Sequence, residues 1–220
     1  MATPRDLEAA FIEQITAGAT HELRNVLAIV KEAAGLIEDL LNAGAEPGTL
    51  DRDKVFWAIA RIEAQVGRGT ALVGALNRFA HSLGGPDVSF DLRRAVEQAA
   101  LLGRRFVQKR ELEIQVRQDE GELNAVADGL RTYMALIAGI ECCAEQVAAG
   151  GSVVIGAELR EGEPAVRFSG EDGDAAPVPV RADAALMNLR LGGFGAAQSP
   201  LIADDGASGF LFLFPLERVQ

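Results

Sequence analysis

A chain of 220 residues with 32 acidic and 21 basic side chains carries a net charge of −11. Such a field repels phosphate backbones and argues against nucleic acid as a partner. Apolar residues make up 49% and aromatics only 5%, so alanine, leucine and valine dominate, as suits helix-rich packing.

Residues 4 to about 42 are expected as one long helix, because Ile12, Ile15, Leu23, Val26, Leu27, Val30, Ala34, Ile37 and Leu41 recur at three- and four-residue spacing. The stretch NAGAEPGTLD stops it with Gly44, Pro47 and Gly48. Thr49 or Asp51 can cap a second helix, expected to run to about Leu83. Its stripe is Val55, Ile59, Ile62, Val66, Val73, Leu76, Phe79 and Leu83. Two such helices joined by a short loop make an antiparallel hairpin. A lone hairpin cannot bury both stripes, whereas a two-fold partner covers them in a four-helix bundle. A homodimer is therefore expected.

GGPDVS, residues 84 to 89, reads as a linker that separates a hairpin domain at 1–84 from a second domain at 85–220. FDLRRAVEQAALLGRRFVQKR is expected as a helix and the alternating ELEIQVR as a strand. LRTYMALIAGIECCAEQVAA is a largely apolar helix ended by Gly150 and Gly151. Cys142 and Cys143 within it are adjacent, rarely a bridging arrangement, and have no zinc-ligand spacing, so buried reduced thiols and no metal are expected. SVVIGAEL and AVRFSG follow as strands, and GFLFLFPL near the C-terminus is a third. Helices beside strands make the second domain an α/β sandwich and the chain as a whole α+β. No apolar run approaches the ~20 residues of a membrane span, and the N-terminus lacks a signal-peptide pattern. The expectation is a cytoplasmic protein with no membrane partner.

The chain has two histidines, His21 and His81. At 100° per residue, Leu23, Val26, Leu27, Val30 and Ile37 fall roughly 140° to 240° from His21. Gln14, Ala17, Gly18, Asn25, Ala28 and Gly35 share its own face. His21 is thus expected to point to solvent among small side chains that admit another protein. A glycine inside a helix costs roughly 1 kcal/mol against alanine, so Gly18 fits such a role. An exposed helical histidine by itself is ordinary surface; its company is what distinguishes it.

HELRN, followed by an apolar heptad, a hairpin and an α+β region, resembles the phospho-acceptor box of the two-component histidine kinases. FDLRRAVEQAA, after the strand-like VSF, resembles the first helix of that family's ATP-binding domain. VADGLRTYMALI resembles the segment leading into its nucleotide helix. The resemblance implies that His21 is the phosphorylated residue, since a neutral imidazole nitrogen is a good nucleophile near pH 7. It implies that Glu22 helps to orient and deprotonate the ring, and that Asn25 assists phosphoryl transfer or places water. Arg24 reads as a solvated charge, with phosphate steering as its other reading.

The nucleotide side departs from the family. Ile140 or Glu141 stands where a magnesium-binding asparagine should be, and no asparagine occurs from residue 125 to 187. In VRFSGEDGDAA, Gly170 replaces the adenine-binding aspartate; using Asp172 and Gly173 instead puts Ala175 at the second glycine. LGGFGAA, residues 191 to 197, is similar to the glycine-rich box and equally fits a turn before a helix. A short lid and a missing final strand are also expected. With 20 residues ahead of His21, no sensor domain is expected. The resemblance therefore points to a dimeric phosphorelay histidine phosphotransferase with a degenerate ATPase-like domain and no cofactor. Such a protein shuttles a phosphoryl group between receiver-domain aspartates. The rival readings are a divergent histidine kinase that still uses ATP, and a non-catalytic dimeric module that docks on a receiver or kinase.

Overall fold

The computed structural model describes residues 3–43, 50–82, 88–182, 201–204 and 209–214. The chain divides into two compact units, one of residues 16–77 and the other of residues 1–15 with 78–220. The division falls inside the two long helices, and residues 1–15 and 78–82 group with the sandwich.

The first long helix, α1, spans Pro4–Ala43. Proline at the first helical position needs no amide partner, and Thr3 and Asp6 form a capping box. The Thr3 amide donates to Asp6 Oδ2 at 2.8 Å, and the Asp6 amide donates to Thr3 Oγ1 at 3.3 Å. The second, α2, spans Arg52–Ser82. Asp51 caps it, accepting from the Lys54 amide at 3.1 Å, and the Lys54 side chain and amide hold its carboxyl below the usual range. Thr49, Leu83 and residues 84 to 87 of the linker lie outside the described residues.

Within the hairpin unit the helices run antiparallel, joined by Glu22–Arg68 at 2.6 Å and Glu32–Arg61 at 3.2 Å. Ala19, Val26 and Ala33 are buried on α1, and Ala58, Leu72 and Ala75 on α2. The single apolar stripe expected on each helix is in fact divided. Leu27 and Leu41 are exposed, as are Ile59, Val66 and Val73 at 39%, 54% and 51%. The last three recur every seven residues, the period of a seam that a second helix pair covers.

The sandwich unit opens with β1, Val88–Asp91, so Phe90 and Asp91 belong to a strand rather than to the helix after it. Asp91 ends the strand and caps α3, Leu92–Gln108. β2, Glu113–Val116, precedes β3, Asn124–Ala127, and β3 pairs antiparallel with β1. Asp128 caps α4, Gly129–Ala144, accepting from the Arg131 amide at 2.9 Å. The helix thus ends before residue 149, and turns carry the chain to Gly150 at φ 84°. β4, Ser152–Arg160, and β5, Glu163–Glu171, form a hairpin. Its two turn residues, Glu161 and Gly162, both take positive φ, the type I′ geometry that matches strand twist.

β6, Pro177–Val178, β7, Leu201–Asp204, and β8, Phe210–Leu213, complete a six-stranded sheet of order β2-β4-β5-β8-β7, with β6 on β5. β7 corrects the expectation that a final strand is missing: it pairs antiparallel with β8. The architecture is α+β, a long helical hairpin followed by an α/β sandwich.

Phe168 of β5 stacks on Phe210 of β8 at 5.1 Å between ring centres, with Phe212 at 4.9 Å. Gly139 lets α4 press onto that cluster, since a Cβ there would sit 2.4 Å from the Phe168 ring. Cys142 and Cys143 are buried in the same helix; the Cys142 thiol donates to the Arg181 carbonyl at 3.3 Å. Burial pushes the Cys143 thiol far above the ordinary range.

A second aromatic line runs from Phe11 through Phe79 to Tyr133 by edge contacts of 5.9 and 5.4 Å. Tyr133, the only tyrosine, donates its hydroxyl proton to Gln98 Oε1. Burial pushes its pKa up to about 12, against an opposing pull from Arg78. Phenolate absorbance in the native protein should therefore rise near pH 12 rather than near 10. Because the unfolded chain ionises first, the contribution is intact below about pH 10 and is lost as pH climbs towards 12. A native titration midpoint near 10 would show that the ring is not sealed.

Candidate functional site

His21 lies in the interior of α1, exposed to solvent. Ala17, Asn25 and Ala28 on its face are exposed too, and Gln14 and Gly35 are half-buried. Gly18 differs: it is buried, so it does not hold open the approach to the ring. Asn25, one turn on, brings its side-chain amide to 3.4 Å from His21 Nδ1, the contact that i, i+4 spacing makes available on a helix. With the amide oxygen turned to the ring, Asn25 accepts the Nδ1 proton and leaves the Nε2 lone pair free toward solvent. With the nitrogen turned inward it fixes the opposite tautomer.

Glu22 is not brought to the ring. Adjacent helical residues project about 100° apart, and its carboxylate takes an ion pair with Arg68 of α2 at 2.6 Å. The pair is largely shielded, and it ties α1 to α2 one residue from His21. Sequence reading missed Arg68 because the pairing depends on hairpin register across 46 residues. Arg24 is exposed on the helix surface. His81, also exposed, sits in the last turn of α2 beside a separate cleft.

Where the resemblance expects a magnesium-binding asparagine, α4 has Ile140 and Glu141. Ile140 is fully buried on the side facing α3, near Gly103. Glu141 is half-buried and lines a cleft of about 250 Å³ with Leu7, Phe11, Gln14, Met134 and Ile137. Gly170, which the resemblance aligns with the adenine-binding aspartate, is hemmed in: a Cβ there would lie 2.6 Å from Val147 and 3.0 Å from Val180. No carboxylate side chain fits that space. Asp172 closes its own turn, accepting from the amides of Asp174 and Ala176 at 3.0 and 2.8 Å, with Ala175 at φ 61°. The string at residues 191 to 197 lies outside the described residues. Among the described residues no helix is long and apolar enough to cross a membrane.

No protein-family model matches the chain, and no curated protein sequence does. Among solved structures it is similar to a bacterial phosphotransferase, 17% identical, covering 98% of each chain at a TM-score of 0.46. The Acinetobacter baumannii histidine kinase AdeS is 16% identical, with 90% of this chain and 98% of that one covered at 0.43. Histidine kinase ThkA, in complex with response regulator protein TrrA, is 16% identical, with 96% and 63% covered at 0.40.

Proposed function

We propose that this chain is a phosphorelay histidine phosphotransferase whose carrier is His21. The observation that carries the reading is an exposed imidazole in the HELRN motif, with the Asn25 amide 3.4 Å from its Nδ1. In the proposed reaction, His21 Nε2 attacks the phosphorus of a receiver's aspartyl phosphate. A P–N bond forms, the P–O bond to aspartate breaks, and the carboxylate leaves. Attack by the aspartate of a second receiver reverses these changes. Asn25 would hold Nδ1–H through its oxygen, which keeps the attacking lone pair on Nε2. Glu22 would take part in ring deprotonation only by releasing Arg68, so the ion pair sets how available that carboxylate is.

Incubation with receiver domains carrying labelled aspartyl phosphate should transfer the label to this chain. The linkage should be lost in acid and survive alkali, as a phosphoramidate does. Absence of label from every receiver of the source genome would favour a non-catalytic docking module. The same reading excludes ATP as the phosphoryl donor. The missing carboxylate and amide contacts are worth roughly 1.5–3 kcal/mol each, or ~100-fold or more in affinity together. Calorimetry with ATP and magnesium should give no saturable heat at millimolar nucleotide; a micromolar dissociation constant would turn the assignment to a divergent kinase.

A homodimer belongs to the proposal. The outward line of Ile59, Val66 and Val73, with Leu27 and Leu41 on α1, leaves apolar side chains that a second hairpin would cover. Light scattering should return about twice the 23.2 kDa chain mass, and Val66→Glu should shift it toward the monomer. A wild-type chain that stays monomeric at every concentration would remove the bundle from this account.

A further inference from the structure

The sandwich unit holds a cleft of about 350 Å³ between the end of α2, β1, α3 and the start of α4. That volume is at the low end of the roughly 300–1,000 Å³ of small-molecule sites. Three basic side chains line it, Arg78, His81 and Arg94, all exposed at its mouth. In a chain of net charge −11 this local balance is unusual. The acid beside them, Asp91, is already engaged: it accepts from the amides of Arg93 and Leu123 at 3.1 and 3.2 Å and lies 3.5 Å from Arg94 Nε.

The inner wall adds a second observation. Gln98 is 8% exposed and lines the cleft. Its Oε1 accepts the Tyr133 hydroxyl, while its Nε2 donates to no group among the described residues. Turning the amide over frees the Tyr133 O–H in its place, so an unmatched donor remains in either orientation. That donor keeps contact with solvent in the cleft, where a ligand group can accept from it. Phe90 and the Tyr133 ring supply flat apolar surface beside it.

We propose that this cleft binds a small organic anion with a planar apolar body, an aromatic carboxylate in chemical class. The ring lies against Phe90 and Tyr133, one carboxylate oxygen accepts from Gln98, and Arg94 and Arg78 neutralise the charge, with His81 as a further hydrogen-bond donor. The site is distinct from His21, which belongs to the hairpin unit.

The test titrates the full-length protein with 2-naphthoate and, separately, with neutral 2-naphthamide, following backbone amide shifts by NMR. Naphthoate should saturate with a dissociation constant below about 1 mM and perturb the amides of α3 and the start of α4. Naphthamide should bind at least about tenfold more weakly, because it lacks the charge-assisted contacts. Arg94→Gln, on an exposed helix position, should weaken naphthoate by about tenfold without altering the fold. Gln98→Met should weaken it too, with the far-ultraviolet spectrum as a check on folding. No saturation by about 10 mM, equal binding of acid and amide, or an unchanged affinity in Arg94→Gln would each overturn the proposal.

Discussion

His21→Ala should abolish phosphoryl uptake from a phosphorylated receiver, because no other group on its face of α1 offers a nucleophilic nitrogen. The loss should reach the background of the assay, with the melting temperature within a degree or two of wild type. An exposed helical side chain that makes one long contact, to Asn25 at 3.4 Å, usually changes stability by under about 0.5 kcal/mol. Glu22→Gln is expected to act more mildly and in two ways. It removes the proposed proton acceptor, and it leaves Arg68 partly buried without its carboxylate. Transfer at the wild-type rate by His21→Ala would place the phosphoryl group elsewhere and end the phosphotransferase reading of this motif.

Gly156→Ala should destabilise the sandwich by about 3 kcal/mol or more, seen as a melting temperature lower by roughly 10 °C. The reason is contact with backbone rather than with a movable side chain. A Cβ at 156 would sit 1.8 Å from the carbonyl oxygen of Arg117. That residue continues the parallel β2–β4 pairing through its amide, which donates to Ile155 O at 2.9 Å. Next to it, the Ala157 amide donates to Gln118 Oε1 at 3.2 Å. One methyl therefore forces apart two segments that are bonded on both sides of it. Gly35→Ala provides the contrast: nothing lies within 4 Å of its added Cβ, and alanine gains up to about 1 kcal/mol in a helix. Equal melting of the two variants would contradict the close approach at Gly156.

The long helices were legible because their apolar residues repeat for many turns, and Asp51 was legible as a cap. Short elements were not. β3 is NAVA and β7 is LIAD, four residues each, too brief for alternation to separate them from loop. Asp91 and Asp128 were read over because each lies next to a strand residue, and only the structure makes them the caps of α3 and α4. At the candidate site, the exposure of His21 followed from helical angles alone. The engagement of Glu22 did not, since no local pattern announces Arg68 as its partner. The same holds for the division of the apolar stripe: Val26 and Leu27 are neighbours of like character, yet one is buried and the other exposed. Which of them faces α2 depends on how the hairpin closes, a property of two helices and not of either one.

The paired thiols of α4 have a kinetic meaning. Both sulfurs are enclosed, and Cys143 is held as the neutral thiol far above its ordinary range. A thiol reagent therefore has no route to them while the helix stays seated on the sheet, and at Cys143 little thiolate to meet if it arrives. Alkylation of this pair proceeds only through an opening of the sandwich. When reclosing is faster than reaction, the labelling rate measures how often α4 opens, and so the free energy of that excursion. The sequence doublet Cys142-Cys143 is thus a built-in clock for motions of the sandwich that leave no trace at the surface.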